Sequence, residues 1–284
     1  IRRGPHIVLG TPGRIIDHLE HRTLTLANVK MLVLDEADRM LDMGFAPQLQ
    51  RIMREVPTAR QTMLFSATMP PEIVSIAKNF MKLPVQIEIA PPGTAAANVT
   101  QEVFIVSREQ KGPLLTKLLG DYRGSVLVFT RTKHAAKKIA RDVRASGHTA
   151  DELHSNRSLG QRKAALAGFK NGLHRVLVAT DIAARGIDVT GIEVVINYDL
   201  PMQPSDYIHR IGRTGRAGAS GHAISFATPD QRGDLRTIER ILRKSLPVAK
   251  LPDSLPRPVA SAYVPAYRTD RSERPSFRQF RRHR

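Results

Sequence analysis

The chain has 284 residues, more than one domain of average size needs, so its length predicts two domains. Its 44 lysines and arginines against 26 acidic residues leave a formal charge of +18, which predicts an anionic partner. No cysteine is present, and this excludes disulfides, thiol nucleophiles and zinc or iron–sulfur centres held by cysteine. The longest apolar runs are far too short to cross a bilayer, and the first residues do not resemble a secretory signal.

Short β-branched runs alternate with longer helical patterns along the chain. This alternation is typical of parallel sheets covered by helices, so the predicted fold class is α/β. Buried strands are predicted at residues 6–9, 31–34, 62–65, 103–106, 126–129, 176–179, 194–197 and 223–226, and the clearest helices at 133–146, 161–170 and 234–244.

The composition changes at two points. Residues 90–97 contain Pro, Gly and small residues without periodicity, which predicts a linker between two domains. From about residue 251 the chain is rich in Pro, Ser and Arg, so a disordered basic tail is predicted there. We therefore expect a first domain at 1–90, a linker at 91–98, a second domain at 99–250 and a tail at 251–284.

An apolar strand that ends in three acidic residues is the first chemically informative segment. Asp35 directly follows Val33-Leu34, and Glu36 and Asp38 come next. At the carboxyl end of a parallel strand, an Asp is well placed to hold Mg²⁺ and a neighbouring Glu to act on an attacking water. The alternative is an ordinary acidic helix N-terminus, which favours such residues through the helix dipole.

Two further segments carry hydroxyl and guanidinium groups. Ser66 and Thr68 follow the strand predicted at 62–65, which puts their hydroxyls at the same sheet edge as Asp35, although a simple turn or helix cap is the alternative. Arg213 and Arg216 lie three residues apart beside glycines, so a tight turn lets both guanidinium groups reach one point. Such convergent forks suit a phosphoryl group, whereas a solvated basic face is the alternative.

Six ordered motifs together resemble the DEAD-box ATP-dependent RNA helicases of superfamily 2, and within them the bacterial RhlE-type branch. The resemblance implies two RecA-like parallel-sheet domains, of which the first is partial here, closing on ATP, Mg²⁺ and RNA. The motifs lie at residues 11–14 (Thr-Pro-Gly-Arg), 35–38 (Asp-Glu-Ala-Asp), 66–68 (Ser-Ala-Thr), 128–133, 180–188 and 209–216.

The resemblance also implies a role for each matching residue. Asp35 would hold Mg²⁺ through water, and the partner would be RNA, bound through its backbone with little sequence specificity, in a cytoplasmic protein without membrane attachment. It assigns catalysis to Asp35, Glu36, Arg213 and Arg216, ATP binding to Asp188, Arg213 and Arg216, interdomain coupling to Asp38, Ser66, Thr68 and His209, and RNA binding to Thr11, Gly13, Arg14, Arg162, Thr180 and Gly186, with Arg157 beside Arg162.

One RNA contact also has a physical argument of its own. Thr11 is a good N-cap and Pro12 a good first helical residue, so a helix beginning here leaves free backbone amides that suit phosphate. The tail has two open interpretations, an arginine and aromatic segment that stacks on RNA or a solubilising extension.

The chain also departs from the family pattern. It contains no Gly-Lys dipeptide, which the phosphate-binding loop requires, and no upstream glutamine motif for adenine. We therefore expect a truncated or partial chain that exposes an apolar sheet edge and is inactive as an ATPase by itself. Leu159 stands where the family often has Gln, so one contact of the second domain is in doubt.

Two other functions remain open at this stage. The missing phosphate-binding loop favours an RNA-binding module without ATPase activity. The acidic motif and the arginine pair together favour an ATP-driven helicase. A DNA helicase is the third option, because phosphate contacts alone do not distinguish the sugars.

Overall fold

Eight parallel β-strands in two sheets organise the part of the chain that the computed structural model describes, which is residues 4–88, 98–184, 187, 189–216, 218–253 and 255. The predicted α/β class is confirmed. The elements are α1 (Pro12–Glu20), β1 (Met31–Leu34), α2 (Ala37–Asp42), α3 (Ala46–Glu55), β2 (Gln61–Leu64), α4 (Pro71–Phe80), β3 (Val99–Ile105), α5 (Lys111–Asp121), β4 (Val126–Phe129), α6 (Lys133–Ala145), β5 (Ala150–Leu153), α7 (Leu159–Lys170), β6 (Val176–Ala179), α8 (Asp181–Ala184), β7 (Val194–Asn197), α9 (Pro204–Ile211), β8 (Gly221–Ala227), a 3₁₀ turn (Pro229–Gln231) and α10 (Arg232–Leu242).

The larger sheet has six parallel strands in the order β3-β8-β7-β4-β6-β5. Its central strands are apolar on both faces because helices cover both sides. Val126 and Val128 of β4 face α5 and α6, while Leu127 and Phe129 face α7 and α8. A third apolar cluster joins α9 and α10 to β3 and β8. We call this part, from residue 98 onward, the C-terminal region.

The smaller sheet pairs β1 with β2, in parallel and in the register Met31 to Gln61 through Leu34 to Leu64. Helices α1 and α3 pack beside it around Ile16 and Ile52. A second small cluster joins β1 to α3 and α4. We call this part, residues 4–88, the N-terminal region.

Local sequence explains where the best-defined helices begin. The Thr132 side chain accepts a hydrogen bond from the Ala135 amide and so caps α6. Ser158 and Gln161 form a reciprocal capping box at the start of α7. Thr11 and Pro12 occupy the predicted N-cap and first helical position of α1, although the Thr11 side chain makes no capping hydrogen bond.

The structure corrects two strand predictions. Residues 6–9 form no strand: Ile7 and Leu9 are 86% and 98% exposed, because a strand needs a neighbouring strand to pair with and, in the described part of the chain, β1 and β2 pair only with each other. Conversely β5, with the sequence Ala-Asp-Glu-Leu, was not predicted. The other predicted strands and helices are present with ends that differ by a few residues.

Several predictions fall where the structure gives no description. All of the predicted linker at 91–98 except residue 98, nearly all of the predicted tail, and Gly186 and Asp188 lie outside the described residues. No helix in the described ranges is long and apolar enough to span a bilayer.

Candidate nucleotide and RNA site between the two regions

The acidic motif lies where β1 ends and α2 begins. Glu36 takes a left-handed backbone conformation, with φ 49° and ψ 49°, and its amide donates to Asp35 Oδ1 at 2.9 Å. Non-glycine residues adopt this conformation at a cost of roughly 1–3 kcal/mol, and such residues cluster at functional sites. The turn leaves Asp35 exposed and Glu36 half-buried at the mouth of a cleft between the regions.

Asp38 joins the acidic motif to the segment after β2. Its Oδ2 accepts hydrogen bonds from the Thr68 amide at 2.8 Å and the Thr68 hydroxyl at 2.7 Å. Ser66 Oγ accepts from the Asp38 amide at 3.2 Å and donates to the Thr68 carbonyl at 2.6 Å. The predicted proximity of the two sheet-edge segments is therefore observed.

The charge of Asp38 is stabilised although the residue is only 2% exposed. Burial raises the pKa of this carboxyl, but the contact with His209 and the two hydrogen bonds from Thr68 outweigh burial and hold the pKa well below its usual range. His209 Nε2 lies 3.8 Å from Asp38 Oδ2, so this contact crosses from α9 of the C-terminal region to α2 of the N-terminal region. Asp38 is therefore a charged junction between the two regions.

Arg213 and Arg216 converge as their spacing predicts. Arg213 Nη1 and Arg216 Nη1 both approach the Ile187 carbonyl, at 3.1 and 3.5 Å, and each Nε donates to the carbonyl four residues earlier in the chain. Burial and the neighbouring Arg216 charge lower the pKa of Arg213. Among the described residues neither arginine forms an ion pair with a carboxylate, so an anion placed between them would relieve their repulsion.

A third arginine of the same motif has a different role. Arg210 is 2% exposed and binds both carboxylate oxygens of Asp181, at 2.5 and 2.7 Å. It also donates to Asn197 Oδ1 at 3.1 Å and lies 5.0 Å from the centre of the Phe129 ring. This bidentate pair ties α9 to α8 and to the strand ends of the larger sheet.

Sequence analysis missed two other contacts between α2 and α9. Arg39 Nη1 lies 2.9 Å from Asp206 Oδ1, and the Ser205 hydroxyl donates to Asp42 Oδ2 at 2.8 Å. Their only sequence signal is spacing: Asp42 lies three and four residues after Arg39 and Asp38, and His209 lies three and four residues after Asp206 and Ser205, so each set shares a helix face.

The predicted RNA-binding residues lie in two separate groups. In α1, Thr11, Gly13 and Arg14 are exposed, and Arg14 pairs with Asp17 at 2.7 Å. In the C-terminal region, Arg162 and Thr180 are half-buried. No hydrogen bond or ion pair between described residues joins the two groups. Arg157 lies beside the acids of β5, with its Nη2 3.3 Å from Asp151 Oδ1.

The chemistry of the cleft fits the triphosphate group of a nucleoside triphosphate together with Mg²⁺. Both regions contribute acidic and basic side chains to one opening, which is lined by Glu36 and Arg39 of the N-terminal region and by Asp206, His209 and Arg213 of the C-terminal region. No group of three metal-ligating side chains occurs among the described residues. Mg²⁺ commonly uses one or two carboxylates together with waters and phosphate oxygens, and Asp35 suits that mode.

Two family models match the chain. Residues 1–76 match the DEAD/DEAH box helicase model and residues 110–218 match the helicase conserved C-terminal domain. The chain is 42% identical over 247 residues to a Bacillus cereus protein named DEAD-box ATP-dependent RNA helicase CshA, covering 87% of this chain and 47% of the relative. The same identity holds over 253 residues with the Geobacillus kaustophilus CshA, at 89% and 54% coverage. The chain thus spans about half the length of these curated relatives.

Solved structures show the same architecture. A Saccharomyces cerevisiae Dbp5 structure described as bound to RNA and ADP BeF3 superposes with a TM-score of 0.75 at 33% identity, covering 85% of this chain and 64% of that one. A DEAD box protein from Methanococcus jannaschii is 41% identical but superposes with a TM-score of only 0.55, at 86% and 66% coverage. The larger score therefore goes with the structure of lower identity.

Proposed function

Because the chain belongs to the DEAD-box RNA helicase family, we propose that it forms most of the motor of an ATP-dependent RNA helicase. This motor couples ATP binding and hydrolysis to local unwinding of RNA duplexes or remodelling of RNA–protein complexes. The observation that carries the proposal is the contact of Asp38 with His209, which brings the acidic motif and the arginine motif to one cleft.

In this proposal the N-terminal region supplies the acids. ATP would supply the phosphoryl group that is transferred to water, and Mg²⁺ would supply positive charge that assists the transfer. Asp35 would hold the metal through water, and Glu36 would orient or deprotonate the attacking water. The left-handed turn at Glu36 supports this role, because the Glu36 side chain lines the cleft while Asp35 beside it stays exposed.

The C-terminal region supplies positive charge. Arg213 and Arg216 stabilise the charge that develops on the transferred phosphoryl group, and we propose that Asp188 contacts the nucleotide from the same side. Because acids and arginines lie on different regions, the site is complete only when the regions close. Asp38, Ser66, Thr68 and His209 transmit that closure between the nucleotide and the RNA.

The proposed RNA contacts follow one strand across both regions. The first turn of α1 offers Thr11 and the amides of Gly13 and Arg14 to a phosphate. We propose that Arg162, Thr180 and Gly186 continue the track on the C-terminal region. Backbone contacts of this kind bind many sequences and depend strongly on salt.

We propose that the 284 residues by themselves hydrolyse little or no ATP. Without a Gly-Lys dipeptide the chain has no phosphate-binding loop of the required type, and the chain spans about half of its curated relatives. A partial chain, membership of the RhlE-type branch and a cytoplasmic location are parts of the same proposal.

The test is to fuse the phosphate-binding segment of a CshA relative to the N-terminus and to compare RNA binding with RNA-stimulated ATP hydrolysis. We expect the fusion to hydrolyse ATP and the chain alone to bind RNA without hydrolysis. Glu36→Gln and Arg213→Ala should abolish hydrolysis in the fusion and leave RNA binding unchanged, whereas Arg141→Ala, an exposed substitution, should change neither.

The second candidate function is an RNA-binding module without ATPase activity. The missing Gly-Lys dipeptide favours it for the chain alone. RNA binding by the fusion without any hydrolysis that depends on Glu36 would favour this candidate over the motor.

A further inference from the structure

Helices α2 and α9 face each other across the cleft through three pairs of side chains. Besides Asp38 with His209, these pairs are Arg39 with Asp206 and Asp42 with Ser205. In α2, Asp42 lies three and four residues after Arg39 and Asp38, and in α9, His209 lies three and four residues after Asp206 and Ser205, so each set occupies one helix face. The contact is therefore a continuous polar interface.

The Arg39–Asp206 pair is the most shielded of the three. The Arg39 side chain is 8% exposed and that of Asp206 15%, and their charged atoms are 2.9 Å apart. Both charges are largely removed from water in this contact, and each compensates the other there. When the regions separate, both charged groups return to water. The ion pair therefore stabilises the closed arrangement only while Arg39 and Asp206 are in contact.

Arg39 also connects closure to the acidic motif. Its Nε is buried without a hydrogen-bond acceptor among the described residues and lies 3.9 Å from Glu36 Oε2. The guanidinium group thus stands between Asp206 of the C-terminal region and Glu36 of the N-terminal region. A small inward movement of Glu36 would complete the hydrogen bond to Nε.

We propose that Arg39 and Asp206 form an interdomain latch that stabilises closure and positions Glu36 in the closed cleft. Arg39 acts as a positioning residue, since it reaches Glu36 and Asp206 rather than the reacting atoms. The positioning of Glu36 for hydrolysis rests on the function proposed above, but the stabilisation of closure does not. The Asp42–Ser205 hydrogen bond is exposed and contributes less.

The latch can be tested by measuring closure directly in the whole chain. Because the chain has no cysteine, Lys78→Cys and Lys170→Cys place one dye on an exposed position of each region. Energy transfer between the dyes then gives the ratio of closed to open molecules, with and without a single-stranded RNA. Circular dichroism checks that each variant is folded.

We expect Arg39→Glu and Asp206→Arg each to lower the closed-to-open ratio by roughly tenfold or more, because each leaves like charges in the shielded contact. The combined variant, Arg39→Glu with Asp206→Arg, should recover most of the ratio. The matched control is Arg51→Glu, which breaks the 2.6 Å ion pair with Glu20 inside the N-terminal region and should leave energy transfer unchanged.

The inference is overturned if either single reversal leaves the ratio unchanged, or if the charge swap is as open as the single variants. If a reversal does not fold, Arg39→Lys and Asp206→Asn replace it, and an unchanged ratio in both again overturns the latch. Lys keeps the charge but loses the planar fork that reaches two carboxylates, so Arg39→Lys should lower the ratio less than Arg39→Glu.

The fusion described above separates the latch from the proposed enzyme. Glu36→Gln should abolish hydrolysis without changing energy transfer, whereas Arg39→Glu should lower both and the charge swap should recover both. If the fusion closes through the latch but never hydrolyses ATP, the proposed function is contradicted and the latch is supported. If the fusion hydrolyses ATP but its Arg39→Glu variant shows unchanged energy transfer, the latch is contradicted and the proposed function is supported.

Discussion

The two regions carry complementary halves of the candidate site, but the sheets and apolar cores that support these halves differ greatly in size. The C-terminal region has a six-stranded sheet whose central strands are fully buried. In the N-terminal region the described sheet has two strands, and Val33 and Phe65 remain 48% and 54% exposed. The arginines therefore project from a well-packed core, while the acids project from a small one.

This difference shows that the two halves of the site are held in place by different forces. Apolar burial holds the arginine motif, because Tyr207, Ile208 and Ile211 of α9 pack into the larger core. Hydrogen bonds hold the acidic motif, because Asp38, Ser66 and Thr68 connect β1 to β2 at their carboxyl ends. Substitutions that remove apolar burial and substitutions that remove hydrogen bonds should therefore affect the two regions unequally.

A matched pair of phenylalanine substitutions should give the largest contrast. Phe226 is fully buried and contacts Phe104 and Tyr198, so Phe226→Ala should cost about 3–5 kcal/mol in the free energy of unfolding. Phe65→Ala removes a side chain that is more than half exposed and should cost less than about 1 kcal/mol. Chemical unfolding followed by circular dichroism measures both, and equal costs would contradict the contrast.

Arg210→Lys should have the next largest effect. Lysine keeps the charge but cannot bind both oxygens of Asp181 or stack on Phe129, so a loss of about 2–3 kcal/mol is expected. Arg141→Lys alters an exposed pair with Asp142 and should stay within about 0.5 kcal/mol. A loss at Arg210 as small as that at Arg141 would show that the buried pair does not support α9.

Thr68→Ala tests the polar network of the N-terminal region. Removing one hydrogen bond to the buried Asp38 carboxylate should cost about 1–2 kcal/mol near neutral pH, and Thr68→Ser should retain most of the stability. The folded-state pKa of Asp38 lies below its unfolded value, so the network stabilises above about pH 4 and this contribution falls as the pH drops further. Unfolding of Thr68→Ala at pH 7 and in acid should therefore show a loss that shrinks in acid.

Tyrosine titration should give the smallest but most selective signal. Residues 4–88 contain no tyrosine, whereas burial raises the pKa of Tyr198 and of Tyr207 to about 12. Ultraviolet difference spectra should therefore show two of the five tyrosines ionising about two pH units later than an ordinary phenol. Tyr198→Phe should remove one late group, and a single transition near pH 10 would mean that the larger core is open to solvent.

Sequence patterns predicted the larger sheet well where burial is complete. Strands β4, β6 and β7 are continuous apolar runs because helices cover both faces. The acidic strand β5 escaped prediction, since Asp151 and Glu152 are compensated there by a neighbour distant from the local pattern, Arg157, among others. At residues 6–9 the error is the reverse: their apolar sequence predicts a strand, but the described sheet offers no neighbouring strand for them to pair with.

By itself the sequence determined the α/β class, the motif order and the convergence of Arg213 with Arg216, because each depends on local periodicity and spacing. Only the tertiary structure decided that Arg39 meets Asp206 and that Arg210 pairs with Asp181. Spacing shows which side chains share a helix face. Which helix that face meets depends on how the cores bring distant parts of the chain together.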